Sequence, residues 1–487
     1  MSVHELEVTP LPEVESEVAK ARAAFDAGRT RTIAWRKATL RALRERVRTR
    51  EADLLAALRE DLGKPTFEAW ATEIGFTIAD IDQTCAALDS WAAPQRVATP
   101  MAFQPGASHL HYEPLGVVAV IAPWNYPMQL LLLPAIAAIA AGNAVVMKPS
   151  ELAPSTDRVL GEIVRSLNDP AVTIVHGGVA ETTELLKQRF DHIVYTGNSR
   201  VARVVMRAAA EHLTPVTLEL GGKSPAIVSR NANIDIAAKR IAWGKFLNAG
   251  QTCIAPDYVL VESSVHDALV AKLNEQITAF YGTDPKQSTD YGRIVNEAHF
   301  HRLEKLLHCG TLAAGGDTDV DGRYISPTIL TNITRDDPPM HEEIFGPVLP
   351  IIAIDDLDAA IEFVNEDEKP LALYVFSEDD AETENIIARS TSGGACINGT
   401  ILHVSNPNLP FGGVGESGMG AYHGKFGFEA LSHRRAVHSR STKIDPPLLY
   451  PPYTKGKEKL MRKGLLMADP RDAARNIFAA LRARLRH

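Results

Sequence analysis

The chain has 487 residues, with 51 basic against 60 acidic side chains, a net charge of −9, and 45% hydrophobic and 23% charged residues. That length exceeds a single minimal core and foretells two or three domains, each burying its own apolar set. The composition is globular, and the negative balance excludes nucleic acid as the main partner, because phosphate binding rests on basic surfaces.

In chain order, the first twenty residues carry five glutamates and no apolar core, unlike a secretory signal. The first ninety read as amphipathic helices rich in Arg, Glu, Ala and Leu, as in 35–60, with Gly63-Lys64-Pro65 as a break. A proline-punctuated stretch, 94–114, follows. From there, strand-length apolar runs at 116–122, 144–148, 171–176, 192–196 and 217–220 alternate with helical patterns. A parallel, doubly wound sheet demands this alternation, because its strands need crossover connections. The longest apolar run, 130–141, contains Pro134 and is too short for the roughly 20 residues of a bilayer crossing, so no transmembrane helix is expected. A second set, from about 225 to 397, has strand-like segments at 258–261, 348–354 and 371–376. Two α/β domains are expected. The tail from Lys455 holds ten Lys or Arg against three acids, with Ile477, Leu481 and Leu485 at helical spacing. Such a helix can touch membranes or acidic partners, although a solvated helix packed on its own protein is the simpler reading.

Cys85, Cys253, Cys309 and Cys396 stand far apart with no C-x-x-C pair, so neither a disulfide framework nor a zinc site is expected, and a reducing, cytoplasmic setting is. Of the four, Cys253 follows the small-residue stretch Asn248-Ala249-Gly250-Gln251-Thr252, where a thiol can meet a ligand and act as a nucleophile if its pKa is lowered. A lone cysteine is more often a small core hydrophobe. Three other segments weigh against that. Glu219-Leu220-Gly221-Gly222-Lys223 puts a carboxylate at the end of a predicted strand, where open α/β sheets place their ligands. Pro123-Trp124-Asn125-Tyr126-Pro127 puts an amide just after another strand, in a loop fixed by prolines. Glu342-Glu343-Ile344-Phe345-Gly346-Pro347 supplies a third such loop. Two decoys fall away. Residues 413–418 satisfy G-x-G-x-x-G but no strand precedes them, and Gly222-Lys223-Ser224 lacks the first glycine of a P-loop.

On these motifs the chain resembles the aldehyde dehydrogenase superfamily from about Ala21 to about Val437. The runs 213–223 and 410–425 resemble the class 3 and coniferyl-aldehyde-dehydrogenase-like branch. The resemblance implies a Rossmann-like, doubly wound dinucleotide domain (1–93 and 113–219) and an α/β catalytic domain (220–405). It adds an oligomerisation arm with a C-terminal active-site loop (94–112 and 406–445), ahead of a basic tail (446–487). It implies a Cys253 thiolate that attacks an aromatic or medium-chain aliphatic aldehyde. Asn125 and the Cys253 N–H hold the oxyanion, and Glu219 activates the water that hydrolyses the thioester. Lys148 and Glu151 would meet the adenosine ribose of NAD, with NADP also accepted. Thr196, Gly197 and Asn198 would lie at the pyrophosphate, Leu220 and Gly221 along the cofactor, Trp124 and Phe345 beside it, and Glu343 on the nicotinamide ribose. Asn198 stands where the turn usually has Ser, and Ala202 where relatives often have Gly. A homodimer is implied. The competing readings are a CoA-acylating relative, a thiol hydrolase without dinucleotide, and a cofactor-binding protein with structural duty alone.

Overall fold

The computed structural model describes residues 6–100 and 103–466. Contacts divide the chain into two units, Met1–Trp91 with Pro114–Leu431, and Ala92–Glu113 with Ser432–His487.

The first unit holds two sheets. In one, β1 (Val117–Ile121), β2 (Ala144–Lys148), β3 (Val172–Ile174), β4 (His192–Thr196) and β5 (Val216–Glu219) run parallel in the order β3-β2-β1-β4-β5. The chain winds outward from β1 to β3, then returns to the other side of β1. This reversal creates the crevice where doubly wound folds bind ligands at the carboxyl ends of their strands. Register pairs Ile121 with Lys148 and Tyr195, and Thr196 with Glu219, so four strand ends open along one edge. Each strand lies within two residues of its predicted span. Buried on both faces, β1 and β2 read as near-continuous apolar runs. Helix Leu11–Asp26 packs on this sheet through Val14, Val18 and Ala21. The apolar run forms helix Gln129–Ala141, every residue of which is buried, Pro134 included. Its apolarity serves the protein core. Among the described residues no helix is long and apolar enough to cross a membrane.

The second sheet comprises β6 (Pro225–Val228), β7 (Tyr258–Glu262), β8 (Thr311–Ala314), β9 (Thr328–Thr331), β10 (Val348–Ile354), β11 (Ala372–Phe376) and β12 (Gly394–Ile397). Their order is β8-β9-β10-β7-β6-β11-β12, parallel except for β8. Four of these strands escaped the sequence reading because each has only four residues and opens on Pro, Gly or Thr, which mark turns as readily as strands. A two-residue strand, β13 (Gly418–Met419), lies antiparallel to β5 and pairs Gly418 with Glu219. It follows directly on the glycine-rich run 413–418, which therefore enters a strand and not a helix.

The predicted helix 35–60 is two helices, Ile33–Thr49 and Glu51–Leu62, parted at Arg50, whose guanidinium lies 2.5 Å from Asp53 and 2.5 Å from Glu162. With neither Gly nor Pro at the joint, periodicity could not reveal it. Gly63 ends the second helix in the left-handed region, φ 62°. Beyond it, a π-helical turn, Trp70–Ile74, carries the fully buried Glu73.

In the second unit, Gln95–Val97, Gly106–Pro114 and Ser432–Arg440 form a three-stranded sheet. Helix Lys455–Leu466 follows, with Leu460 and Leu465 more than half exposed. Ile477, Leu481 and Leu485 lie outside the described residues.

Candidate active site and dinucleotide crevice

The chemistry-bearing side chains sit on loops that leave strand ends. Asn125 follows β1 and is buried, its Nδ2 donating to the Gln251 carbonyl at 3.0 Å. One amide hydrogen remains for another acceptor. Cys253 ends a tightly wound loop in which Asn248 (φ 53°), Ala249 (φ 52°) and Gly250 (φ 75°) are all left-handed. At Gly250 a Cβ would also collide with the Gly346 carbonyl, so glycine is required. The buried Gln251 side chain pins this loop, donating to the Asn248 and Arg293 carbonyls and accepting from Val295 N–H. Tyr126 Oη and Thr252 Oγ1 meet at 2.7 Å just before the cysteine.

Burial pushes the half-buried Cys253 thiol up, and Glu343 and Glu219 add to the rise, while the N–H groups of Cys253 and Ile254 oppose it. The sequence reading looked for a lowered thiol. The two neighbouring carboxylates and the lack of water account for the difference. Glu219, at the end of β5, is 1% exposed, and neither carboxylate oxygen has a hydrogen-bond partner among the described residues. Burial holds its pKa well above the usual carboxylate range. Glu343 is pushed up to about 8 by burial and by Asp257, against the pull of the Gly222 N–H. A Cβ on Gly221 would strike the Glu343 carboxylate. Cys253, Asn125, Glu219, Glu343 and Gly221 are thus brought together. Leu220 beside them is buried and donates its N–H to the Ser417 carbonyl.

Trp124 and Phe345 meet edge to face at 5.3 Å, and His299, which the sequence reading missed, joins Trp124 at 5.1 Å. Phe345 is itself left-handed, φ 50°. Lys223, set aside above as a P-loop decoy, donates to Asp257 (2.5 Å) and to the Pro339 and Glu342 carbonyls, while Asp257 accepts from Ile344 N–H. It fastens the Glu343 loop. Lys245, also missed, is wholly buried with no hydrogen-bond partner among the described residues, and burial lowers it to about 8. Its place in an ordinary helical run gave no signal.

Further along the crevice, Lys148 ends β2, buried, with Nζ donating to the Pro149 carbonyl (2.5 Å) and lying 3.8 Å from the Glu151 carboxylate. Thr196 ends β4. Gly197 has no room for a Cβ against the Tyr195 ring, and Asn198 caps helix Ser199–Ala210 by accepting from Val201 N–H at 2.9 Å. Asn performs the capping that Ser would. These groups suit a dinucleotide. A helix start offers N–H groups to phosphates, a lysine–glutamate pair offers a donor and an acceptor to ribose hydroxyls, and a side-chain-free glycine lets the backbone come close. Among the described residues no group of three His, Cys, Asp or Glu could hold a metal ion.

A doubly wound sheet with its crevice beside a half-buried thiol, an amide and two carboxylates defines a dinucleotide-dependent α/β oxidoreductase. Residues 4–437 match the aldehyde dehydrogenase family, and the chain belongs to that family, whose enzymes oxidise aldehydes with NAD or NADP. It is 48% identical over 429 residues to the dimeric, NADP-preferring aldehyde dehydrogenase of Rattus norvegicus, covering 88% of this chain and 95% of that one. It is 46% identical to the 4,4'-diaponeurosporen-aldehyde dehydrogenase of Staphylococcus aureus, over 92% and 98%. The solved substrate-bound state of Staphylococcus aureus AldH superposes with a TM-score of 0.90 at 45% identity, covering 92% of this chain and 99% of that one.

Proposed function

We propose that this enzyme oxidises an aromatic or medium-chain aliphatic aldehyde to its acid through a thioester on Cys253, hydrolysed by water that Glu219 activates. The observation that carries this reading is the Glu219 carboxylate, buried and unpartnered among the described residues, beside the thiol. A carboxylate kept at high proton affinity is a general base able to work near neutrality. The thiol passes its proton to solvent and its sulfur bonds the aldehyde carbon as the carbonyl π pair moves onto oxygen, where the free Asn125 amide hydrogen and the Cys253 N–H receive the developing oxyanion. When bound, NAD(P) supplies the oxidant, accepting hydride at nicotinamide C4. Lys148 and Glu151 would hold its adenosine ribose, Thr196, Gly197 and Asn198 its pyrophosphate, and Glu343 its second ribose, with Leu220 and Gly221 along the crevice and Trp124 and Phe345 beside it. Glu219 then takes a proton from water, hydroxide attacks the thioester carbonyl, and the C–S bond breaks, the leaving sulfur taking the proton from Glu219 so that thiol and carboxylate are both restored as the carboxylic acid departs.

NAD is the favoured cofactor, with NADP accepted, because Glu151 opposes a 2′-phosphate. The rat relative's name points the other way, which makes the preference worth measuring. The likeness of the runs 213–223 and 410–425 to the class 3 branch supports an aromatic or medium-chain aliphatic substrate. The relatives named dimeric and the exposed edge of β12, where Ile397 is 53% exposed, support a homodimer. The free cysteines support a cytoplasmic setting.

NAD(P)H formation across a panel of cinnamic-type and fatty aldehydes, with product analysis, tests the reading. Cys253→Ser is expected to abolish it. Retained turnover in that variant, or acyl-CoA formation that depends on added CoA, would overturn it.

A further inference from the structure

Behind Asn125 lies an ion pair with no access to water. Lys64 and Glu73, both fully buried side chains, meet at 2.5 Å. Burying two charges costs about as much as their attraction returns, so such a pair is a poor source of stability. Its contacts suggest another use. Lys64 Nζ also donates to the Asn125 carbonyl at 3.1 Å and lies 4.1 Å from the centre of the Tyr126 ring. The other Glu73 oxygen accepts the N–H groups of Met128 (2.9 Å) and Gln129 (3.1 Å), at the start of helix Gln129–Ala141. One ion pair therefore grips the segment 125–129 at both ends. A second carboxylate repeats the arrangement on the thiol side. Glu68 accepts Asn248 N–H at 2.8 Å, and Asn248 Nδ2 donates to the Asn125 carbonyl (2.8 Å) and the Gln251 carbonyl (3.2 Å). The Asn125 carbonyl thus receives Lys64 on one side and the Cys253 loop on the other.

We propose that the Lys64–Glu73 pair is a positioning device for Asn125, fixing its peptide so that the side-chain amide stands where the oxyanion forms. The inference rests on the oxyanion role given to Asn125 above. Lys64 and Glu73 touch neither substrate nor cofactor in this scheme and act through Asn125. The π-helical turn that carries Glu73 fits the role, since such turns recur at functional sites.

A double-mutant cycle tests it, with Lys64→Met and Glu73→Gln made together and crossed with Asn125→Ala in the full-length enzyme. Misplacing an oxyanion donor is expected to lower kcat/KM for the aldehyde by about 100-fold, with NAD(P) affinity unchanged. The rate at which iodoacetamide alkylates Cys253, which needs the thiol but no oxyanion hole, should also stay unchanged. Added to Asn125→Ala, the paired change should cost nothing further, because the group it positions is gone. Losses that multiply, alkylation that falls in parallel with turnover, or a lowered melting temperature with full kcat/KM would each overturn the proposal. If Asn125→Ala alone is harmless, the oxyanion reading beneath it has failed instead. Should the paired variant not fold, Glu73→Gln alone keeps an acceptor for the Met128 and Gln129 amides. It carries the same cycle with an expected loss of about tenfold.

Discussion

The two ends of the crevice are built on opposite principles. At the thiol end the general base is left unsatisfied: Glu219 has no hydrogen-bond partner among the described residues, and burial raises Cys253, Glu219 and Glu343 together. At the nucleotide end the polar side chains Lys148 and Asn198 are already engaged, Lys148 on the Pro149 carbonyl and near Glu151, and Asn198 on its own helix. Proton transfer requires groups whose charge state is poised, and burial without partners poises them. Recognition of phosphates and hydroxyls requires donors held still, and backbone and capping bonds hold them. The first arrangement strains the fold, whereas the second is nearly free.

The largest expected effect comes from removing the poised charge. Glu219→Gln keeps shape and burial but loses the base, so hydrolytic turnover should fall by about 10²- to 10⁴-fold while a first burst of NAD(P)H, which precedes hydrolysis, survives. In the parent enzyme turnover should rise with pH, since the base works only when ionised and its pKa lies above the usual range. The variant should lose that limb. Stability should move the opposite way. Between the ordinary carboxylate value and the raised one, the unfolded chain has already released its proton while the folded chain holds it, so rising pH favours unfolding. Glu219→Gln should therefore gain on the parent in melting temperature as pH climbs. Absence of the burst, or parallel melting curves across pH, would place the base elsewhere.

The same contrast explains what was legible in the sequence. Motifs that sit on loops after strands, such as Pro123-Trp124-Asn125, Glu219-Leu220-Gly221 and Glu342-Glu343, announced themselves because glycine, proline and acid rarely share such positions without a reason. Most parallel strands were legible because burial on both faces leaves continuous apolar runs, although β6, β9 and β12 were not. The supporting charges were hidden. Lys64 falls in the predicted break Gly63-Lys64-Pro65 and Glu68 and Glu73 in the helical stretch after it, and only packing reveals that Lys64 and Glu73 never meet water. Periodicity records which face is apolar, but it says nothing about a lysine and a glutamate that bury each other. The direction of the Cys253 shift was equally hidden, since it depends first on burial and then on two carboxylates 34 residues upstream and 90 residues downstream in the chain.

A smaller effect is expected where recognition rests on one charge. Glu151→Ala removes the carboxylate beside Lys148 and with it the repulsion of a 2′-phosphate, so the ratio of kcat/KM for NADP over NAD should rise by about tenfold, near 1.4 kcal/mol. The two specificity constants measured side by side check this. A ratio that stays put or falls would remove Glu151 from cofactor choice and leave Lys148 as the recognising group.

The smallest effect should come from Asn198→Ala. The helix it caps, Ser199–Ala210, is exposed on one face, and its first turn follows closely on Thr196 at the end of β4. Losing the cap costs about 1 kcal/mol, small against the stability of a domain this size. Fraying of the first turn would fall on the dinucleotide first, because that turn offers the N–H groups an anion would use. KM for NAD should therefore rise a few-fold, about the effect of one weakened hydrogen bond. The rate of thioester hydrolysis should not change, because Glu219 and Cys253 lie beyond the turn. Initial rates of NADH formation at varied NAD, set beside single-turnover hydrolysis, separate the two. If both fall together, the two ends of the crevice are mechanically coupled, and the division between a poised end and a held end is wrong.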